Sequence, residues 1–213
     1  MDEARKIRDF WFGKLPLSAG ALDQRMRFWF GVEPSELRQR RDEQIRVHFG
    51  AVFEKAISGA LASWADGPRR RLSLILLLDQ FPRNMFRGSA RAFAYDAHAL
   101  GLTASGMQSA ADAALDVVER LFFYMPLQHA ENSEAQEESV AAYRRLLGEV
   151  PPQLSGIFES ALRSAENHRQ LIARFGRFPH RNAILGRDST PEELQFLVEC
   201  EHRFGQPAPA API

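Results

Sequence analysis

Apolar residues recur at spacings of three and four along nearly the whole of this chain, and no segment alternates apolar and polar positions as a half-buried strand does. That periodicity restricts the chain to a mainly helical fold. Ile7, Phe10 and Trp11 share one helical face before Gly13 and Pro16 end the first segment. Over 35–58, Ile45, Phe49, Val52, Phe53, Ala56 and Ile57 form a buried stripe interrupted only by Gly50. After the turn Asp66-Gly67-Pro68, residues 72–81 are apolar almost all round and predict a central helix buried on several sides, with a short buried strand as the alternative. Further helices are expected over 96–107, 116–124, 133–147 and 154–175. The last of these buries Phe158, Ala161, Leu162, Ala165, Ile172 and Phe175. Ser133 with Gln136, and Thr190 with Glu193 ahead of Pro191, match the reciprocal capping grammar of helix starts, the second opening a short helix over 191–198.

A length of 213 residues with 45% hydrophobic and 25% charged side chains suffices for one packed domain without disulfides or metals. The expected division is a single all-α domain over 1–205 and a Pro/Ala-rich tail over 206–213 that is too rich in proline for a helix. Lys plus Arg and Asp plus Glu both number 27, so no net positive field attracts nucleic acid. Only Lys6, Lys14 and Lys55 are lysines. An arginine-rich codon usage accounts for that bias unless the guanidinium forks converge on an anion. The N-terminus reaches charge at once, without a signal-peptide core, and the run Leu74-Ile75-Leu76-Leu77-Leu78 is far too short to span a bilayer. The protein is therefore read as cytoplasmic, with no membrane partner. Cys200 is the single cysteine, which excludes an intramolecular disulfide, and it is read as an incidental thiol.

Three prolines mark places where apolar runs give way to polar chemistry. The first is Asp79-Gln80-Phe81-Pro82-Arg83-Asn84-Met85-Phe86-Arg87-Gly88, where Pro82 is expected to push Phe81 out of helical geometry and break the chain. A similar grammar returns at Arg177-Phe178-Pro179-His180-Arg181-Asn182, followed by Gly186-Arg187, as a diverged duplication or a local solution used twice. The third is Phe122-Phe123-Tyr124-Met125-Pro126, followed by Gln128-His129-Ala130-Glu131. If the three corners share one end of a helical bundle, their polar groups line one concave surface. Otherwise Arg and Asn satisfy helix-end carbonyls, and Asp79 pairs with Arg83.

Known motifs are mostly missing. There is no His-Glu-x-x-His zinc motif, no Pro-Cys-x-x-Cys to complete a deaminase, and no nucleophile elbow, phosphate loop or dinucleotide fingerprint. A metal held by His129, Glu131 and His180 is disfavoured by their spacing, so neither a metal nor another cofactor is expected. The candidate proton carriers are His129 and His180, with Glu131 or Asp79 orienting them. Candidate ligand-binding residues are Asp79, Arg83, Asn84, Arg87, Tyr124, Gln128, Arg177, Arg181 and Asn182. His168 is read as a core histidine and Asp96 as a cap of the helix that follows it.

Phe10-Trp11-Phe12-Gly13, the words around Pro82 and Pro126, and Arg174-Phe175-Gly176-Arg177-Phe178-Pro179-His180-Arg181-Asn182 occur in an order that resembles the bacterial domain-of-unknown-function family 924, up to about Phe204. The resemblance implies an all-α, tetratricopeptide-like superhelical array, although no 34-residue repeat is visible. It implies no particular activity. Where that family often reads His-Ser-Glu, this chain has His129-Ala130-Glu131, which keeps both ionisable groups and removes the hydroxyl.

The leading functional reading is a binding module in which Arg83, Arg87, Arg177 and Arg181 hold a small anionic molecule or a peptide carboxylate. The alternatives are a small-molecule enzyme using His129 or His180 as acid or base, and a structural or assembly protein whose corners only stitch helix ends.

Overall fold

The computed structural model describes residues 2–30 and 34–199. Cys200 and the 206–213 tail lie outside the described residues. Helices α1 (Glu3–Phe12), α2 (Ala19–Phe30), α3 (Ser35–Ile57) and α4 (Pro68–Ile75) are followed by a π-helical turn, Leu76–Gln80, and α5 (Phe81–Met85). Then come α6 (Asp96–Gln108), α7 (Val117–Phe123), α8 (Met125–His129), α9 (Ser133–Leu147), α10 (Ser155–Phe175) and α11 (Pro191–Glu199). Short 3₁₀ turns join several of them, and no strand occurs among the described residues. The all-α expectation holds, and the strand alternative for 72–81 is excluded.

The core is aromatic where α1 meets the middle of the chain. Trp11 is fully buried and lies with ring centroids 5.6 Å from both Phe81 and Phe122, while Phe49 of α3 sits 5.1 Å from Phe81. Such edge and tilted contacts suit the charge distribution of the rings. The predicted stripe of α3 is buried at Ile45, Phe49, Val52, Phe53 and Ala56. Helices α9 and α10 pack antiparallel, with Arg144 meeting Glu166 and Arg169 meeting Glu137 across the seam.

Helix α6 approaches α7 and α4 closely at Gly106. A Cβ there would lie 2.6 Å from Cζ of Phe123 and 2.8 Å from Cδ of Arg71. Gly106→Ala is expected to destabilise the fold by about 1–3 kcal/mol through overpacking, measured by urea unfolding. An unchanged midpoint would show that Phe123 and Arg71 yield freely.

Pro82 does not break the chain. Phe81 keeps helical angles, φ −66° and ψ −38°, and its N–H donates to the carbonyl of Leu76, five residues back. A proline removes one helical donor and crowds the carbonyl four residues earlier. The widened turn relieves that crowding just before the ring, as π-bulges do inside α-helices. Arg83 Nη1 then donates to the carbonyl of Asp79 (2.8 Å), and Asn84 Nδ2 to that of Gln80 (2.8 Å).

The second Phe-Pro word behaves differently. Gly176 ends α10 in the left-handed region at φ 69°, Phe178 is extended, and Pro179–Arg181 forms a 3₁₀ turn. Similar letters thus support two backbones. Thr190 and Glu193 form the expected reciprocal cap at 3.2 and 2.7 Å. Helix α9, in contrast, is capped by Asn132, whose Oδ1 accepts from Ala135 N at 2.9 Å, and not by Ser133. Gln136 instead turns back and donates to the carbonyls of Gln128 and Ala130, closing α8.

Candidate functional site

The three proline corners meet. His129, the last residue of α8, donates from Nδ1 to Oδ1 of Asp79 in the π turn at 2.7 Å. Arg83 Nη1 lies 3.5 Å from that carboxylate and forms a two-pronged pair with Asp96 at 2.7 and 2.9 Å. Asp96 Oδ2 also accepts from Arg181 Nη1 of the second corner at 3.3 Å. An unbroken chain of hydrogen bonds and ion pairs therefore runs His129, Asp79, Arg83, Asp96, Arg181. A second tie joins the same corners: Glu131 accepts from the Phe178 N–H at 2.8 Å and pairs with Arg187 at 2.6 and 2.9 Å.

Burial sets the protonation states along this chain. Asp79 is 0% exposed. Burial pushes its carboxyl up, but Arg83, His129 and the Gln80 amide together outweigh that and hold it well below the usual carboxylate range. The same burial, helped by Arg83, pulls His129 below the ordinary histidine value despite the Asp79 carboxylate. The imidazole is thus neutral at pH 7, protonated on the Nδ1 that donates to Asp79. Its Nε2 carries the lone pair and has no hydrogen-bond partner among the described residues. His180 is lowered to about 3 by burial and by Arg181, and His168 to about 4 by burial. Arg181 is brought down to about 10 by burial and by Arg83, and so stays cationic at pH 7.

Arg181 lies between two rings, 4.7 Å from the centroid of Phe93 and 4.6 Å from that of Phe178. The flanking rings favour the cation and exclude water from it. Its Nε is buried with no hydrogen-bond partner.

Several residues expected at the site are engaged elsewhere. Arg87 pairs with Asp42 of α3 at 2.9 and 3.0 Å. Arg177 holds Glu193 of α11 at 2.7 and 2.8 Å, and Asn182 bonds Ser189 and that same Glu193. The Tyr124 hydroxyl donates to Asp112 at 2.5 Å. Asn84 turns to its own helix, and Gln128 donates to Ser164 at 2.8 Å. These six side chains fix helix ends or join neighbouring elements through partners inside the protein. Glu131 does not orient a histidine, because both its oxygens are taken by Arg187 and Phe178. Nor is any group of three or more His, Cys, Asp or Glu placed to hold a metal among the described residues.

The sequence reading missed Asp96, which is not the cap of α6: the cap position is Tyr95, and the Asp96 carboxylate bridges two arginines instead. It also missed Arg187 and the flanking Phe93 and Phe178. Arg187 stood in plain view at the end of the second corner.

Fold and site together define an all-α protein in which helix ends are joined by a buried, charge-balanced Asp-His-Arg network. No described helix is long and apolar enough to cross a membrane. Residues 7–201 match the family described as "Bacterial protein of unknown function (DUF924)", and the chain belongs to that family. It is similar to a solved structure titled "Structure of Protein of Unknown Function ATU0120 from Agrobacterium tumefaciens", with 36% identity over 92% of this chain and 97% of that one, at a TM-score of 0.75. No functionally curated protein matches it.

Proposed function

We propose that the joined corners form a small-molecule site in which His129 acts as a general base and Arg181 binds an anionic or carbonyl oxygen of the substrate. The observation that carries this reading is the 2.7 Å bond from His129 Nδ1 to the fully buried Asp79. A carboxylate fixed on one ring nitrogen sets the tautomer and leaves the other nitrogen to accept a proton. Arg181 suits the second role because its Nε has no partner and its one carboxylate contact is long, whereas Arg83, Arg87 and Arg177 each have a two-pronged carboxylate partner. That engagement is why this reading is preferred to a four-arginine anion cradle. Anion recognition without turnover, as a binding module, is the second reading and rests on the same Arg181.

The test is turnover of a panel of carboxylate- and phosphate-bearing metabolites followed by proton NMR. His129→Gln is expected to bind the substrate that wild type consumes, with turnover lower by about 10²–10⁴-fold. Binding with no consumption by wild type leaves the binding module. Full turnover by His129→Gln removes His129 from the chemistry.

A further inference from the structure

A second place on the molecule carries uncompensated charge. Between the end of α1 and the start of α7 lies a depression of about 350 Å³, of the size of small-molecule sites. It is bordered by Arg8, Phe12, Lys14, Arg69 and Glu119, and it shares no residue with the corner cluster.

The carboxylates there are already engaged. Glu119, nearly fully buried, accepts from the Asp116 N–H at 3.1 Å and from Arg8 Nη1 at 3.3 Å. Asp116 caps α7 through Val118 N, and Asp9 faces Arg5 at 3.4 Å. The Lys14 and Arg69 side chains, in contrast, have neither an ion-pair nor a hydrogen-bond partner among the described residues, and both are exposed. Arg8 meets Glu119 through one nitrogen, and its Nε has no partner. The lining thus holds two cations with no internal counter-charge beside a third that is half engaged, and the apolar side chains of Leu15 and Pro16 stand beside them.

We infer that this depression binds a small phosphomonoester. A phosphate ester carries a charge of about −1.5 to −2 at pH 7 and three strong acceptor oxygens, which matches two free cations better than a monocarboxylate does. Its organic body lies against Leu15 and Pro16.

The experiment is a ¹⁵N-detected titration of the full chain with inorganic phosphate and with glycerol 3-phosphate, against sodium chloride at equal ionic strength. Saturable shifts confined to Gly13, Lys14, Arg8 and Arg69 are expected, with glycerol 3-phosphate binding more tightly. In Lys14→Met/Arg69→Met the affinity is expected to fall at least tenfold. Both side chains are exposed and unpaired, so this variant is expected to unfold like wild type. Shifts that do not saturate, that sodium chloride reproduces, or that persist unchanged in the double variant overturn the site. Because none of these residues touches the corner cluster, either outcome leaves the reading of His129 as it stands.

Discussion

Asp79→Ala is expected to lower folding stability by about 3–5 kcal/mol, the range for breaking a buried ion pair by removing one partner. The carboxylate is wholly buried, and three groups from two corners converge on it: His129 Nδ1, Arg83 Nη1 and the Gln80 amide. Truncation leaves an imidazole N–H and an amide without acceptors in the interior, and deprives Arg83 of one of its two counter-charges. Asp79→Asn removes the charge but keeps the shape, and is expected to cost less, since Arg83 retains its two-pronged pair with Asp96. Urea unfolding monitored by the buried tryptophans reads both variants. A loss below about 1 kcal/mol for Asp79→Ala would mean that the network is ornamental to stability.

Acid is expected to destabilise this protein well above the pH at which its carboxylates protonate. His129, His168 and His180 all have folded values below the ordinary 6.5, the last two at about 4 and about 3. The sign follows from proton counting: below pH 6.5 the unfolded chain takes up protons that the folded chain refuses, so stability is complete above 6.5 and declines as pH falls towards those folded values. At pH 5 each histidine that stays neutral in the fold contributes a loss of about 2 kcal/mol. His168 and His180 together then lower the melting temperature by roughly 8–16 °C between pH 7 and pH 5 for a chain of this size. His180→Gln is expected to remove about half of that slope. A melting temperature that is flat from pH 7 to 5 would mean that these rings protonate within the folded state.

Most of the helices were legible because apolar spacing is a local property, and α3, α9 and α10 fall within a residue of where the periodicity places them. The cap of α11 was legible for the same reason, its partners being three residues apart. Helix α2 (Ala19–Phe30) went unseen. The three corners were visible as words, but their joining was not. The links that make the cluster span 13, 50 and 85 residues, from Arg83 to Asp96, Asp79 to His129 and Asp96 to Arg181. No spacing rule reaches that far. Arg87 and Arg177 carried the same local signal as Arg83 and Arg181, and only their long-range partners, Asp42 and Glu193, set them apart.

The five-residue turn from Leu76 to Gln80 acts as a phase shift in an otherwise continuous rod. One residue more than a regular turn advances everything downstream by roughly 100° about the axis. Upstream of it, Leu72, Leu74 and Ile75 keep the angular frame that packs α4 into the core; downstream, Arg83 and Asn84 are turned into another. Asp79 lies inside the offset, where a single helix can send apolar groups one way and a carboxylate towards a distant histidine. Deleting one residue there would straighten the ladder and misalign the two halves, so the length of this turn is itself a determinant of the site.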